Sequence, residues 1–418
     1  MKKSRNRPIE HAELLAPAGS FEKLEVAVHY GADAVYLAGK NFSLRNFSDN
    51  FTLAEIRSAI DLCHKAGVRV YVACNIYPRN FELQAIADFL AEIGKLSPDG
   101  IIVADAGIAA TALRLIPHVP LHISTQANIT SLSAARFWEE VGACRINLAR
   151  ELSLQEIKTI ADESEIATEI FVHGAMCMSY SGRCLLSSFM AGRGSNRGMC
   201  SHPCRWQYAV VEELRPGKYM PLSEDDRGTY IFHSRDLCMI DHIPDLIESG
   251  VRALKIEGRM KSVHYLASTV KVYREAIDRY YSGPESYRFD DAWREEVRTT
   301  ATRGYCTGFY YGNPGDAADD TVDPMTHRPI RFLGKVLRSI ASQTALIEVR
   351  NRIRRDCEIE ILSPAGPIRK DRVLALKNAN GLPLSIANPG TIVEMETTSS
   401  LREMDIIRRV EKTEESQS

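Results

Sequence analysis

The cysteines of this chain are concentrated in one short stretch. The 418-residue sequence holds ten cysteines, and four of them fall within 28 consecutive residues. These four are Cys177, Cys184, Cys200 and Cys204, and Cys238 follows 34 residues later. Several thiolates that converge on one point suit a soft metal centre, and an iron–sulfur cluster is the best match. The spacing therefore predicts a metallo-enzyme.

A structural zinc site is the alternative for these cysteines. Zinc ribbons and fingers pair two knuckles of the form C-x2-4-C. This chain has one C-x3-C, at Cys200 and Cys204, and no matching second pair, so the pattern favours the iron–sulfur cluster. We expect the other five cysteines to be buried reduced thiols. They are Cys63, Cys74, Cys144, Cys306 and Cys357.

The composition limits the class of protein. An apolar content of 44% and a charged content of 25% are ordinary for a globular protein, and the length allows one large and one small domain. The sequence has no apolar run of 18 residues, and its basic first eight residues lead into no signal-peptide core. We therefore expect a cytoplasmic protein with reduced thiols and no membrane contact.

The first 260 residues alternate between short apolar runs and amphipathic helical stretches. Eight such units in succession predict a (β/α)8 TIM-like barrel. A doubly wound open sheet is the alternative, but the turn at 16–20 lacks its glycine-rich nucleotide pattern. The predicted strands are 13–15, 34–37, 68–73, 100–104, 121–124, 145–148, 169–172 and 252–256. The predicted helices include 20–30, 53–66, 82–96 and 131–141.

In such a barrel the chemistry lies at the carboxyl ends of the strands. Nearly every predicted strand here ends in a charged or hydrogen-bonding side chain, and their convergence on one rim predicts a polar pocket. Arg150 and Arg259 are of the type that grips carboxylates. Asp105, Glu151, His173 and Glu257 are of the type that moves protons. Any one of them alone is more often a helix cap or a solvated loop residue.

The order of the predicted elements also gives the limits of the domains. The cysteine-rich stretch separates the seventh and eighth strands, so we expect the insertion 174–240 to overhang the barrel mouth. The predicted limits are 1–282 for the barrel with this insertion, 283–330 for a connecting helix and linker, 331–410 for a small β-barrel domain and 411–418 for a disordered tail.

The predicted C-terminal domain is basic. Residues 331–410 hold 14 Lys and Arg against 9 Asp and Glu, a net charge of +5, whereas the chain carries −2. Six basic side chains fall in what the pattern predicts to be two loops. They are Arg352, Arg354, Arg355, Arg369, Lys370 and Arg372. A basic β-barrel attached to an enzyme fits a module that positions a nucleic acid, and an ordinary solubilising surface fits the charge equally well.

Five segments together resemble one known family. They are 13–20, 31–36, the cysteine segment 177–200, 234–238 and 255–261. By these segments the chain resembles, over essentially its whole length, the collagenase-like peptidase family, family 32 of the unknown-mechanism class. The resemblance implies a [4Fe–4S] cluster on Cys177, Cys184, Cys200 and Cys238. Cys204 is one cysteine too many for that set, and we give it no ligand role.

The resemblance also implies an activity. Several members of the family carry out oxygen-independent hydroxylation of RNA bases or of ubiquinone precursors. A chain of this length with a C-terminal β-domain resembles the branch that converts the wobble uridine of tRNA to 5-hydroxyuridine with prephenate. The expected partners are then the tRNA anticodon region and prephenate. On this hypothesis Arg150 and Arg259 clamp the carboxylates, and His173, Glu257 and Asp105 serve as acid–base groups.

Two other classes of function stay open. Proteolysis is implied by the older family name, but the sequence has no His-Glu-x-x-His, Gly-x-Ser-x-Gly or Asp-Thr/Ser-Gly motif. A reactive cysteine beside His173 or His202 remains as a route to it. A non-enzymatic tRNA-binding or iron–sulfur scaffold protein is the third class, and the predicted polar rim argues against it.

Overall fold

The computed structural model describes residues 11–43, 49–177, 179, 184–194, 199–205, 223–225, 228–230, 235–301, 304–312 and 330–410. The chain divides into two compact units. The first comprises Met1–Leu24, Asp33–Met260 and Arg303–Thr321, and the second comprises Glu25–Ala32, Lys261–Thr302 and Val322–Ser418. The predicted tail at 411–418 lies outside the described residues, as do 302–303 and 313–329 of the predicted connecting segment 283–330.

The first unit contains a closed barrel of eight parallel strands, which confirms the predicted (β/α)8 fold and makes the doubly wound alternative wrong. Closure comes from the last strand, which pairs with both the first and the seventh. Every predicted strand overlaps an observed one. They are β1 Glu13–Pro17, β2 Ala34–Ala38, β3 Arg69–Cys74, β4 Gly100–Val103, β5 Leu121–Ile123, β6 Arg145–Asn147, β7 Ala167–Ala175 and β11 Ala253–Ile256.

Helices follow the strands in chain order, and their ends carry the expected caps. Thr52 and Ser153 form capping boxes with Glu55 and Glu156, which satisfy backbone N–H groups at both helix starts. The helices from the first strand to the last are α1 Phe21–His29, α2 Leu53–Lys65, α3 Leu83–Leu96, α4 Ala106–Leu115, α5 Leu132–Val141, α6 Leu154–Glu163, α7 Leu186–Ala191 and α8 Ile243–Glu248.

The interior of the barrel holds a charged network as well as apolar side chains. Arg145 Nη1 lies 2.6 Å from Glu13 Oε1 and 3.5 Å from Glu169 Oε2. Lys255 Nζ lies 2.5 Å from Glu169 Oε1, and the Tyr71 hydroxyl donates to Glu13 Oε2 at 2.8 Å. All five residues are buried. Because each carboxylate meets an arginine or a lysine, the network avoids an uncompensated buried charge.

Two short strands extend the sheet beyond the barrel. β10 (Asp236–Cys238) runs antiparallel to β7, and β12 (Tyr305–Cys306) runs parallel to β10. A separate hairpin joins β8 (Ser223–Asp225) to β9 (Gly228–Tyr230). The extension brings residues from two distant parts of the sequence beside the end of β7.

The second unit combines two helices with a closed six-stranded β-barrel. The barrel confirms the predicted C-terminal fold. The helices are α9 Val263–Ser282 and α10 Asp291–Arg298. The strands of this part of the chain are β13 Ile330–Ala341, β14 Thr344–Val349, β15 Ile353–Arg354, β16 Glu358–Leu362, β17 Arg369–Lys377, β18 Ile386–Ala387, β19 Ile392–Thr397 and β20 Ile406–Val410. The prediction of two basic loops is wrong for 369–372, because these residues begin β17, and for Arg354, which lies in β15.

A buried arginine joins the helices of this unit to its barrel. Arg408 on β20 is 1% exposed and binds Glu296 of α10 through two nitrogens, at 2.6 and 2.7 Å. Its Nε donates to Glu360 at 3.1 Å, and its Nη1 lies 2.9 Å from His264 Nε2. One guanidinium therefore neutralises two buried carboxylates.

Within the described ranges, the helices are all too short or too polar to cross a bilayer.

Candidate active site

The end of β7 gathers several of the predicted residues. His173 is fully buried, and its Nε2 lies 3.4 Å from the hydroxyl of Tyr305 on β12. Its backbone carbonyl accepts a hydrogen bond from the Glu257 amide at 2.8 Å. Cys238 lies directly opposite His173 in the β7–β10 pairing. The imidazole of His173 and the phenol of Tyr305 are thus close enough to share a proton, and the backbones of Glu257 and Cys238 lie beside them.

The predicted carboxylate ligand Arg259 lies at the same end of the barrel, after β11. It is 3% exposed, and its Nη2 donates to Ser43 Oγ at 3.1 Å. Its carbonyl oxygen accepts from Lys23 Nζ at 3.1 Å. A methyl carbon added at Gly19 would lie 1.9 Å from this oxygen, so the close approach requires glycine.

Lys23 adds a second cation beside Arg259. It lies in the first turn of α1, immediately after the first strand. Burial lowers the pKa of Lys23, the carboxylates of Asp49 and Glu22 oppose this effect, and Arg259 adds a smaller lowering. The ammonium of Lys23 therefore contacts the main chain of Arg259 and adds positive charge to this part of the rim.

Arg150 lies at the end of β6, as predicted, and stacks on an aromatic ring. Its guanidinium carbon is 4.0 Å from the centre of the Phe171 ring. Lys255 Nζ lies 5.5 Å from the same ring and 4.5 Å from that of Tyr36. Burial lowers the pKa of Lys255, an effect that Glu169 opposes. The stacking fixes the plane of the Arg150 guanidinium, as bidentate binding of a carboxylate requires.

Asp105 has a structural contact at the start of α4. Its Oδ1 accepts a hydrogen bond from the Ile108 amide at 3.0 Å, which is an N-cap. An acid–base role for Asp105 stays a prediction.

The sequence pattern missed Tyr305 and Lys23 as site residues. Tyr305 reaches His173 only because β12 pairs with β10, a contact between residues 132 positions apart. Local periodicity contains no information on such a pairing. Lys23 follows the end of the first strand by six residues and lies in the first turn of the first barrel helix. That position in the sequence could have identified it as a rim residue.

The four predicted cluster ligands belong to the part of the chain that follows His173 on β7. Cys177 follows β7 and is exposed, whereas Cys184, Cys200 and Cys238 are half-buried. The Ser201 amide donates to Ser187 Oγ at 3.0 Å, which holds the Cys200 segment against α7. The residue types fit an iron–sulfur cluster, since thiolates are its usual ligands.

The positions of these cysteine side chains bear on whether they could share one metal centre. In the described part of the chain, no three His, Cys, Asp or Glu side chains stand close enough together to hold a metal ion. All ten cysteines lie among the described residues, and none is in a disulfide bond. The [4Fe–4S] assignment and its four ligands stay predictions.

The expectation for the other five cysteines is partly wrong. Cys63 and Cys74 are buried, and burial raises the pKa of each thiol to about 12. Cys144 is exposed, and Cys306 and Cys357 are half-buried. Cys306 lies opposite Leu237 on the added strand β12, and Cys357 packs against the core of the C-terminal barrel.

Comparison with known proteins identifies the family. The model described as peptidase family U32 matches residues 19–320, and the model of the U32 C-terminal domain matches residues 328–408. The chain belongs to peptidase family U32. This agrees with the resemblance found in the five sequence segments.

Three relatives illustrate the range of names within the family. The Bacillus subtilis "tRNA hydroxylation protein P1" is 40% identical over 353 residues, which are 84% of this chain and 83% of that protein. The Escherichia coli "tRNA hydroxylation protein P" is 35% identical over 419 residues, 90% of this chain and 91% of that protein. A "Collagenase" of Porphyromonas gingivalis is 31% identical over 312 residues, 72% of this chain and 73% of that protein.

Proposed function

We propose that this protein is a tRNA-modifying enzyme that hydroxylates carbon 5 of the wobble uridine without molecular oxygen, with prephenate as co-substrate. The observation that carries the proposal is the likeness to two tRNA hydroxylation proteins over more than four-fifths of each chain. On this proposal the protein works in the cytoplasm, where its tRNA substrate is found.

The cations at the rim supply the binding of prephenate. Arg259 and Arg150 are the proposed ligands of its two carboxylates, and Lys23 adds positive charge beside Arg259. The stacked Arg150 can present two parallel N–H donors to a carboxylate. This arrangement suits a dicarboxylate better than a neutral substrate.

The group around His173 supplies proton transfer. Replacing the hydrogen on carbon 5 by a hydroxyl is a two-electron oxidation, for which prephenate is the proposed oxygen donor and is itself reduced by two electrons. The hydrogen of carbon 5 leaves as a proton, and His173, Glu257 and Tyr305 are the proposed groups that accept or return it. Burial of His173 keeps water away from this exchange.

Cys177, Cys184, Cys200 and Cys238 are the proposed ligands of a [4Fe–4S] cluster. When bound, such a cluster supplies one-electron transfer or Lewis-acid capacity. Of these four cysteines, Cys238 is the one that pairs with His173 between β10 and β7. Cys238 would therefore connect the cluster to the proton-transfer group.

The anticodon loop of tRNA fits this site because its bases are already unpaired. A single-stranded base can be turned out of its stack at low cost and enter a pocket. Lys370 and Arg372 are exposed on β17 and are the proposed phosphate contacts of the C-terminal barrel. Arg369 and Arg408 are committed to contacts within the unit.

Mass spectrometry of nucleosides from bulk tRNA tests the proposal. The comparison uses a wild-type strain, a deletion strain, and the deletion complemented with wild type, Cys184→Ala or Cys144→Ala. We expect 5-hydroxyuridine derivatives to disappear in the deletion, and to return with wild type and with the control Cys144→Ala but not with Cys184→Ala. Unchanged nucleosides in the deletion strain would overturn the proposal.

Peptidase activity is the second candidate, favoured by the 31% identity to a collagenase. Anaerobically purified protein should be brown and contain iron if the hydroxylase proposal holds. Colourless, iron-free protein that cleaves gelatin, with cleavage lost in His173→Ala, would favour the peptidase.

A further inference from the structure

The turn that follows β5 is held in a single conformation. Residues Thr125–Ala127 form one 3-10 turn, capped by the Ser124 hydroxyl. The Ala127 amide donates to the Ser124 carbonyl at 2.9 Å, and the Asn128 amide donates to the Thr125 carbonyl at 3.0 Å. Asn128 has φ of 57°, the left-handed conformation that asparagine tolerates well. The turn therefore presents Gln126 and Asn128 from a fixed backbone.

Residues that follow β6 and β3 hold this turn from two sides. Thr125 Oγ1 donates to the Leu148 carbonyl at 3.2 Å, just before Arg150. On the other side, after β3, the Tyr77 hydroxyl donates to the Gln126 carbonyl, and Asn75 Nδ2 lies 3.4 Å from Ser124 Oγ. Binding sites are built in this way, because side chains on a rigid backbone lose little freedom when a ligand binds.

The amide oxygens of this turn are buried and lack donors. Gln126 Oε1 and Asn128 Oδ1 are both shielded from solvent, and neither has a hydrogen-bond partner among the described residues. Buried acceptors are nearly always paired in folded proteins, so each exception needs an explanation. Two exceptions within three residues, at the barrel end that carries the chemistry, are explained together by a ligand that brings N–H or O–H donors.

We propose that this turn recognises the target base, with Gln126 Oε1 accepting the N3–H of uracil. The inference rests on the proposed function, since uracil is the base it names. Uracil carries a hydrogen on N3 between two carbonyl oxygens, whereas cytosine has an acceptor at N3. The Gln126 amide group can pair with N3–H and one carbonyl oxygen of uracil at the same time. Asn128 Oδ1 takes a second donor of the nucleoside, the ribose 2′-hydroxyl, which also distinguishes RNA from DNA.

The test compares hydroxylation of two anticodon stem-loop RNAs that carry uridine or cytidine at the wobble position. Anaerobically purified protein with intact metal content is assayed with prephenate, and kcat/KM is measured for each RNA. A site built to pair with a donor rejects an analogue that lacks it. We expect wild type to prefer uridine by at least about 100-fold, and Gln126→Leu to lower this preference at least tenfold.

The matched control is Gln155→Leu, an exposed glutamine on α6, which should keep the wild-type preference. A merely structural role of Gln126 would lower both rates and leave their ratio unchanged, and that result would overturn the inference. If Gln126→Leu does not fold, Asn128→Gly keeps the left-handed backbone and removes the amide. Asn128→Gly should lower the preference for a ribose over a deoxyribose at the wobble position, and an unchanged preference would overturn the role of the turn. Failure of wild type to hydroxylate either RNA would instead count against the proposed function.

Discussion

Replacing Arg408 by methionine should destabilise the second unit by about 3–5 kcal/mol. The arginine is 1% exposed, and it contacts Glu296 at 2.6 and 2.7 Å and Glu360 at 3.1 Å. Methionine fills part of the same volume without charge. Its presence would leave the two carboxylates buried without a cation, and burying an unpaired charge is among the costliest changes in a protein interior.

The magnitude follows from how many groups depend on this one side chain. Breaking a buried ion pair by removing one partner costs about 3–5 kcal/mol, and here two carboxylates lose their partner, so the upper end is expected. For a cooperative unit of roughly 150–250 residues, each kcal/mol corresponds to about 2–4 °C in Tm. The variant should therefore melt roughly 10–20 °C below wild type.

Calorimetry on the full chain measures this change as the difference in melting between the variant and wild type. Arg409→Met is the control, since Arg409 is adjacent and only half-buried, and its effect should stay within about 0.5 kcal/mol. The double variant Arg408→Met/Glu296→Gln should recover about 1–3 kcal/mol, because it removes one of the two uncompensated charges. A loss below about 1 kcal/mol in Arg408→Met would refute the argument that this residue neutralises both carboxylates.

Three further predictions concern pH, prephenate and tRNA. Burial, together with Arg408, lowers the pKa of His264 to about 3, so the folded unit binds fewer protons there than the unfolded chain, and stability should fall as the pH drops from about 6.5 towards 3. His264→Gln should flatten that slope in calorimetry from pH 7 to 4, and an unaltered slope would contradict the assignment. Arg259→Ala should raise the KM for prephenate by about 10–100-fold in the anaerobic stem-loop assay, and an unchanged KM would remove Arg259 from the pocket. Lys370→Gln with Arg372→Gln should weaken tRNA binding and reduce the slope of log Kd against log salt by about 1 per charge, and equal binding by wild type and this double variant would rule out the phosphate contacts.

The barrel could be predicted from the sequence because each of its strands and helices is specified by residues close together in the chain. Each strand is a short apolar run, and helix starts such as Thr52 and Ser153 carry their own capping residues. The order of eight such units then fixes which strands are neighbours. Placing Arg150 and Arg259 at one end of the barrel needed nothing more.

The parts that the sequence could not predict depend on pairing between distant residues. β10 and β12 bring Cys238 and Tyr305 beside His173, and three-residue or two-residue strands have no periodicity to detect. The charged interior was missed for a related reason. Glu13 and Arg145 each begin a strand and look like surface residues, and only closure of the barrel places them 2.6 Å apart.

The segment that ends β11 shows why core and site are coupled in this fold. Lys255 lies in β11, and Glu257 and Arg259 follow immediately after its end. Lys255 neutralises Glu169 inside the barrel, the Glu257 amide binds the His173 carbonyl, and Arg259 lies at the rim beside Gly19. Residues 255–259 thus contribute both to the charged interior of the barrel and to its rim. A deletion within this segment would therefore disturb the barrel interior and the proposed active-site groups together.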